Sequence, residues 1–123
     1  MKKTKLYTVY TLNEFTGGWF IGKFIPNIFC ENFELGVKTY EAGEVNPEHY
    51  HKLTDELTVI ITGLCEFNLY DPGNDKRECI TLQTGDMILI PKGTLSEFVA
   101  IEKTTLVVYK NKSIPGDKYS RDL

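Results

Sequence analysis

The chain lacks several features that would place it at once. Nowhere does it hold the roughly 18 consecutive apolar residues of a membrane-spanning helix, so no membrane partner is expected. The start, Met1-Lys2-Lys3-Thr4-Lys5, is basic, but Tyr7, Thr8, Tyr10, Thr11, Asn13 and Glu14 interrupt any apolar run after it. That pattern argues against a secretory signal. Net charge is only −3, with no basic face, which excludes the usual electrostatic footprint of a nucleic-acid binder. Cysteine is scarce. Cys30, Cys65 and Cys79 are odd in number and fit no CxxC or zinc spacing, so a reducing, cytoplasmic setting is expected. Each is read as a small core or surface residue, with Cys65 nearest the candidate site. No stretch keeps a helical period through three turns, and there is neither an internal repeat nor a low-complexity segment.

What is present is a series of short runs rich in Val, Ile, Thr, Tyr and Phe, separated by turn residues. Leu57 to Thr62 is the clearest, closed by Gly63. Leu64 to Tyr70 follows, then the turn chemistry of Asp71-Pro72-Gly73-Asn74-Asp75. Glu78 to Leu82, Met87 to Ile90, Ser96 to Ile101 and Thr104 to Tyr109 complete the set, with turns at Gly85-Asp86 and Pro91-Lys92-Gly93. Such spacing predicts an all-β sandwich or barrel. Ile88-Leu89-Ile90 is apolar on both faces, which suits a strand covered by the interior on one side and by a second sheet or partner subunit on the other. The aromatic, glycine-rich stretch from Gly17 to Pro26 reads equally as an edge strand or loop and as a dimer contact. The polar tail from Lys110 is expected to fray or to lie as an arm across the surface.

The only two histidines, His49 and His51, sit two apart. On a strand, residues i and i+2 share a face, so both imidazoles can reach one ion. Glu56 follows after a gap long enough for a bend. Two imidazoles and a carboxylate suit zinc, iron, manganese, nickel or copper. On spacing alone, the same residues also fit imidazoles hydrogen-bonded in a polar pocket with no metal.

The spacing Gly43, five residues, His49-x-His51, a short gap, Glu56, six residues, Gly63 resembles the first cupin motif. Gly85, Pro91 and Gly93 match the glycine and proline-x-glycine positions of the second. The resemblance implies an all-β, double-stranded β-helix (jelly-roll) barrel in a single domain over residues 1–123. Its core barrel would run from about 33 to 110, with an N-terminal strand or arm over 1–32 and a polar tail over 111–123. It also implies a homodimer, and a divalent metal (iron, manganese, nickel or zinc) on His49, His51 and Glu56. Two departures matter: the second motif's histidine position holds Ser96 and its asparagine position holds Ala100. A neutral hydroxyl competes poorly with water for a divalent ion, so three protein ligands carry over.

Two functions follow from that loss. One is a metal centre with open positions, similar to non-haem iron oxygenase sites, acting on a small organic ligand by oxygenase or isomerase chemistry. The other is a metal-free module that binds or senses a small molecule without catalysis. A histidine in a metal-free cavity can also serve as a base, as in cupin-like sugar epimerases. A purely structural protein with a vestigial pocket is the third, weaker expectation. Strand alternation points Thr58, Ile60, Ser96 and Phe98 into the barrel as pocket-lining residues. Tyr50 and Lys52 fall on the opposite face, and Tyr40 fits either wall or core.

Overall fold

A computed structural model describes residues 2–3, 6–24 and 27–121. Met1, Thr4 and Lys5 of the basic start, Ile25 and Pro26 of the aromatic stretch, and Asp122 and Leu123 of the tail lie outside the described residues. Among the described residues, no helix is long and apolar enough to cross a membrane.

The β-branched and aromatic runs form strands, as their composition dictates. In chain order they are β1 (Lys2–Lys3), β2 (Thr8–Val9), β3 (Trp19–Gly22), β4 (Ile28–Phe29), β5 (Glu34–Tyr40), β6 (Val45–His49), β7 (Glu56–Thr62), β8 (Leu64–Asp71), β9 (Lys76–Gln83), β10 (Met87–Ile90), β11 (Leu95–Ala100) and β12 (Thr104–Lys110). Two short 3₁₀ turns, Leu12–Glu14 and Thr16–Gly18, precede β3. The strands form a six-stranded sheet in the order β10-β7-β12-β5-β3-β4, a four-stranded sheet in the order β6-β11-β8-β9, and a small β1-β2 hairpin. The core comprises Ile60, Cys65, Phe67, Leu82, Ile90, Phe98, Ala100, Leu106 and Val108, contributed by both larger sheets. Alternation carries the argument: on β12, Thr104, Leu106 and Val108 are buried, while Thr105 and Val107 are less so.

Turn chemistry sets the connections. Between β8 and β9, the Asp71 carboxylate accepts from the Gly73 N–H at 3.0 Å and the Asn74 amide at 2.7 Å. Asp75 takes the left-handed conformation with φ 49°. Between β7 and β8, Gly63 has φ +123°, and a Cβ there would come within 2.6 Å of the Lys103 carbonyl. Glycine is therefore required by both conformation and space.

Register places two kinds of row on the six-stranded sheet. Facing inward, Ile90 (β10), Glu56 (β7), Lys110 (β12) and Glu34 (β5) are cross-strand neighbours. Facing outward, Met87, Val59, Val107 and Val37 form one row, and Leu89, Leu57, Tyr109 and Leu35 the next. Met87 is 63% and Leu89 65% exposed, so the described residues leave the β10 end of that face uncovered. The aromatic stretch resolves in part as a strand: β3 pairs antiparallel with β5.

The polar tail lies as an arm across the end of the barrel. Asp117 is buried. Its carboxylate accepts from the N–H groups of Lys52 at 2.9 Å and Leu53 at 3.1 Å, and from the Thr54 hydroxyl at 3.0 Å. Tyr119 bridges Tyr50 through both backbone groups and lies under the Lys52 ammonium. Arg121 then makes a two-pronged pair with Glu48 at 2.9 and 2.8 Å.

Candidate metal centre

The site is built where β6 leaves its sheet. Pairing with β11 shifts register between Ser96 and Phe98: Ser96 faces His49, but Phe98 faces Asn46. β6 therefore carries one extra residue, a bulge over Pro47 and Glu48. Pro47 has no N–H for a ladder, which suits it to an irregular edge strand. The bulge turns Asn46 and His49, three apart, onto the same inward face. Beyond β6, the Tyr50 bridge to Tyr119 keeps the chain extended, so His51 also points inward. The Gly93 N–H, from the Pro91-Lys92-Gly93 turn, ties down the His51 carbonyl at 2.8 Å.

His49, His51 and Glu56 meet: one ligand atom from each lies within 4.8 Å of the other two. Both imidazoles are buried, at 8% and 7% exposure. His49 Nδ1 contacts the Pro47 carbonyl at 2.9 Å, and His51 Nδ1 contacts the Asp117 carbonyl. A carbonyl only accepts, so each Nδ1 carries a proton and donates it. That leaves the Nε2 lone pair of each neutral ring as the free donor atom. His51 Nε2 lies 3.2 Å from Glu56 Oε2, yet it is buried without a hydrogen bond of acceptable geometry to any described residue. Two imidazole lone pairs and a carboxylate thus converge with no proton between them in the neutral state. A divalent cation satisfies all three, so the donor set fits the metal that its residue types imply.

Electrostatics reinforce this. Burial pushes the His49 imidazole down, aided by Lys118 and His51 and opposed by the Pro47 carbonyl and Glu56. Burial alone would raise the Glu56 carboxyl. Lys110 and the positive charge that the His51 and His49 rings carry when protonated outweigh it and hold Glu56 below the ordinary carboxylate range. Both shifts favour the forms a metal requires: neutral imidazole and carboxylate.

The cavity at these groups has a volume of about 60 Å³. Thr58 and Phe98 line it. Ile60, on the Glu56–Thr58 face, is fully buried deeper in the core. Ser96 is buried beside His49 but does not border the cavity. Cys65 is likewise a core residue, its thiol pushed up to about 11 by burial and by Asp86. Tyr40 is a wall residue whose ring packs on Phe98 at 4.7 Å. Sequence reasoning missed Asn46, Lys38, Lys110 and Lys118, which also line the cavity. Lys38 lies inward on β5 beside Leu106 of β12. Burial lowers its pKa, as do Lys118 and Lys110, against Glu56. A lysine at an inward strand position was the available signal for Lys38, but β5 was not recognised as a strand. Asn46 depends on the bulge, and Lys118 on the docking of the tail.

The profile of the Cupin family matches residues 27–114, well over half of the chain. The chain belongs to the cupin family. Among curated proteins, it resembles germin-like protein 9-1 of Oryza sativa subsp. japonica, at 36% identity over 69 residues, which is 55% of this cupin and 28% of the rice protein. Among solved structures, the capsular polysaccharide assembling protein CapF from Staphylococcus aureus superposes with a TM-score of 0.67 at 13% identity, covering 76% of this chain and 28% of CapF. A recombinant oxalate oxidase in complex with glycolate gives a TM-score of 0.64 at 20% identity, covering 72% of this chain and 45% of the oxidase. The chain thus spans less than half the length of each of these relatives. The likenesses establish the expected all-β jelly-roll barrel, with the candidate metal centre inside it.

Proposed function

We propose that this cupin binds one divalent transition ion (iron, manganese, nickel or zinc) through His49, His51 and Glu56, and uses the site to hold a small organic anion. The observation that carries this reading is the convergence of three electron-pair donors while both histidine N–H groups are directed onto backbone carbonyls. When bound, the ion supplies Lewis acidity at a ligand oxygen. The remaining roles belong to the chain. Lys38 and Lys118 meet the ligand's negative charge. Tyr40, whose hydroxyl is raised by burial with help from Glu56 and Glu44, stays protonated as a donor. Phe98 and Val108 keep bulk water out. Three protein ligands leave coordination positions free, which supports oxygenase or isomerase chemistry as the catalytic form. A cavity of about 60 Å³ has room for only a few water-sized groups. That favours a small carboxylate, and the oxalate oxidase compared above holds glycolate.

Elemental analysis of protein purified without added metal, and again after reconstitution, tests the proposal. One equivalent supports it; none after reconstitution favours a metal-free reading. That second reading has its own support: Lys38, Lys110 and Lys118 line the same cavity as the donors. They disfavour a bare cation and can hold an anion without one, in a binding or sensing module that needs no catalysis.

Ser96→His supplies a further test. Ser96 is the cross-strand partner of His49 and is buried with it. A fourth ligand there, a third nitrogen, is expected to tighten zinc binding by roughly ten-fold or more, measured by competition with a chelator. Unchanged affinity in a folded variant would remove Ser96 from the ligand position.

The proposed unit is one barrel domain with its core over residues 33–110, working as a homodimer in the cytoplasm. All three cysteines are unpaired, which accords with a reducing setting. Met87, Leu89, Leu57 and Tyr109 lie in outward rows that carry no charge, so two copies can meet there without burying one. Met87→Asp with Leu89→Asp should give a monomer by light scattering. A dimer that survives both changes rules out this face.

A further inference from the structure

A second cavity lies beside the metal centre. Its volume is about 400 Å³, against about 60 Å³ at the histidines. The larger value falls within the ~300–1,000 Å³ range of small-molecule sites. Its apolar walls are Trp19, Phe24 and Ile114, and Lys110 and Lys118 line both cavities. Lys118 has no ion-pair partner among the described residues. The two carboxylates that border the chamber are already engaged. Asp117 accepts from Lys52, Leu53 and Thr54. Glu34 takes the Ser113 hydroxyl at 3.1 Å and the Lys110 ammonium at 3.8 Å.

Two features mark the chamber as built for a ligand. The Asn27 side-chain nitrogen is buried there without a hydrogen-bond partner among the described residues. A buried amide donor is normally paired, so a turn of the Asn27 side chain toward the chamber would give this one an acceptor. The Trp19 ring is also held in place. It rests on Gly36, where a Cβ would come 2.8 Å from the indole, and the Lys38 and Lys110 ammonium groups lie 4.8 and 4.9 Å from its centre.

We propose that this chamber binds the ring-bearing end of an aromatic monocarboxylic acid. The acid's carboxylate is held by Lys118 and Lys110 at the boundary with the metal centre. The ring lies among Trp19, Phe24 and Ile114, and a hydroxyl oxygen on the ring accepts from Asn27. The proposal deepens the organic-anion reading above and rests on it. A two-carbon acid would fill the small cavity and leave the chamber's apolar walls and Asn27 without a partner.

The chain has one tryptophan, so Trp19 reports on its own cavity. The full-length protein, metal-free and zinc-loaded, is titrated with 4-hydroxyphenylacetate, glycolate and tyramine. Tryptophan fluorescence follows binding, and elemental analysis follows zinc. A saturable response to 4-hydroxyphenylacetate and none to tyramine is expected. Lys118→Glu and Phe24→Ala should each weaken the response about ten-fold, as loss of one charge-assisted contact or one buried ring face implies. Lys118 is exposed and Phe24 half-buried, and unchanged thermal unfolding checks the fold of each variant. No saturable response, or one insensitive to both substitutions, overturns the proposal. Glycolate binding to zinc-loaded protein with no aromatic response removes the chamber and leaves the metal reading standing. An aromatic response with no zinc uptake does the reverse.

Discussion

Replacing His51 with alanine should weaken zinc or manganese binding by at least about 100-fold, the upper end of what losing a mere supporting partner costs. His51 is the most heavily braced of the three donors. Its Nδ1 donates to the Asp117 carbonyl, its own carbonyl accepts from Gly93, and its Nε2 faces Glu56 at 3.2 Å. Its removal leaves two ligands, too few to outcompete water for a divalent ion. His49→Ala and Glu56→Gln should act in the same direction. The glutamine keeps the shape of Glu56 but lacks the charge that Lys110 and the two histidines favour. Glu56→Gln should also lower the stability of the metal-free protein, because a carboxylate held below its ordinary range stabilises the fold. The measurement pairs competitive metal titration with thermal unfolding of metal-free protein. Wild-type affinity in folded His51→Ala would end the proposal for this centre.

The second large effect belongs to the tail. Asp117→Ala is expected to destabilise the protein by about 3 kcal/mol. It removes three hydrogen bonds to a carboxylate, each worth about 1.5–3 kcal/mol, and they are not additive. Because the Asp117 carbonyl also orients His51, release of the tail should weaken metal binding by roughly 10–100-fold. Urea denaturation and chelator competition on the same variant measure both. A change in stability with no change in affinity would show that His51 keeps its orientation without the arm.

Asp117 also gives stability a pH dependence of defined sign. Burial would raise its carboxyl, but the Lys52 and Leu53 N–H groups, the Thr54 hydroxyl and His51 hold it below the usual range. A depressed folded-state value means the contribution is present above the unfolded value of about 3.9 and is lost as pH falls through the folded one. Asp117→Asn should therefore flatten the acid limb of the stability curve. An unchanged acid limb would assign that dependence to other carboxylates.

Much of the barrel was legible in the linear order of residues. The runs from Leu57 to Tyr109 correspond to β7 through β12 within a residue or two, because β-branched residues and turn signals are local properties. β5 was not recognised, although Lys38 on it lines the cavity; a charged residue in an inward row hides the alternation that identifies a strand. The tail was left between fraying and an arm, since only the partners of Asp117 and Tyr119, more than 60 residues away, could decide.

For the candidate centre the division is similar. The spacing of His49, His51 and Glu56, and of Gly43 and Gly63 around them, is a short-range pattern, and it was enough to nominate the donors and the fold. The tautomer of His51, the bulge that turns Asn46 inward, and the gathering of Lys38, Lys110 and Lys118 at the cavity were decided by tertiary structure alone. Each depends on a contact between segments distant in sequence or on a one-residue shift of register, and neither leaves a periodic trace in the chain.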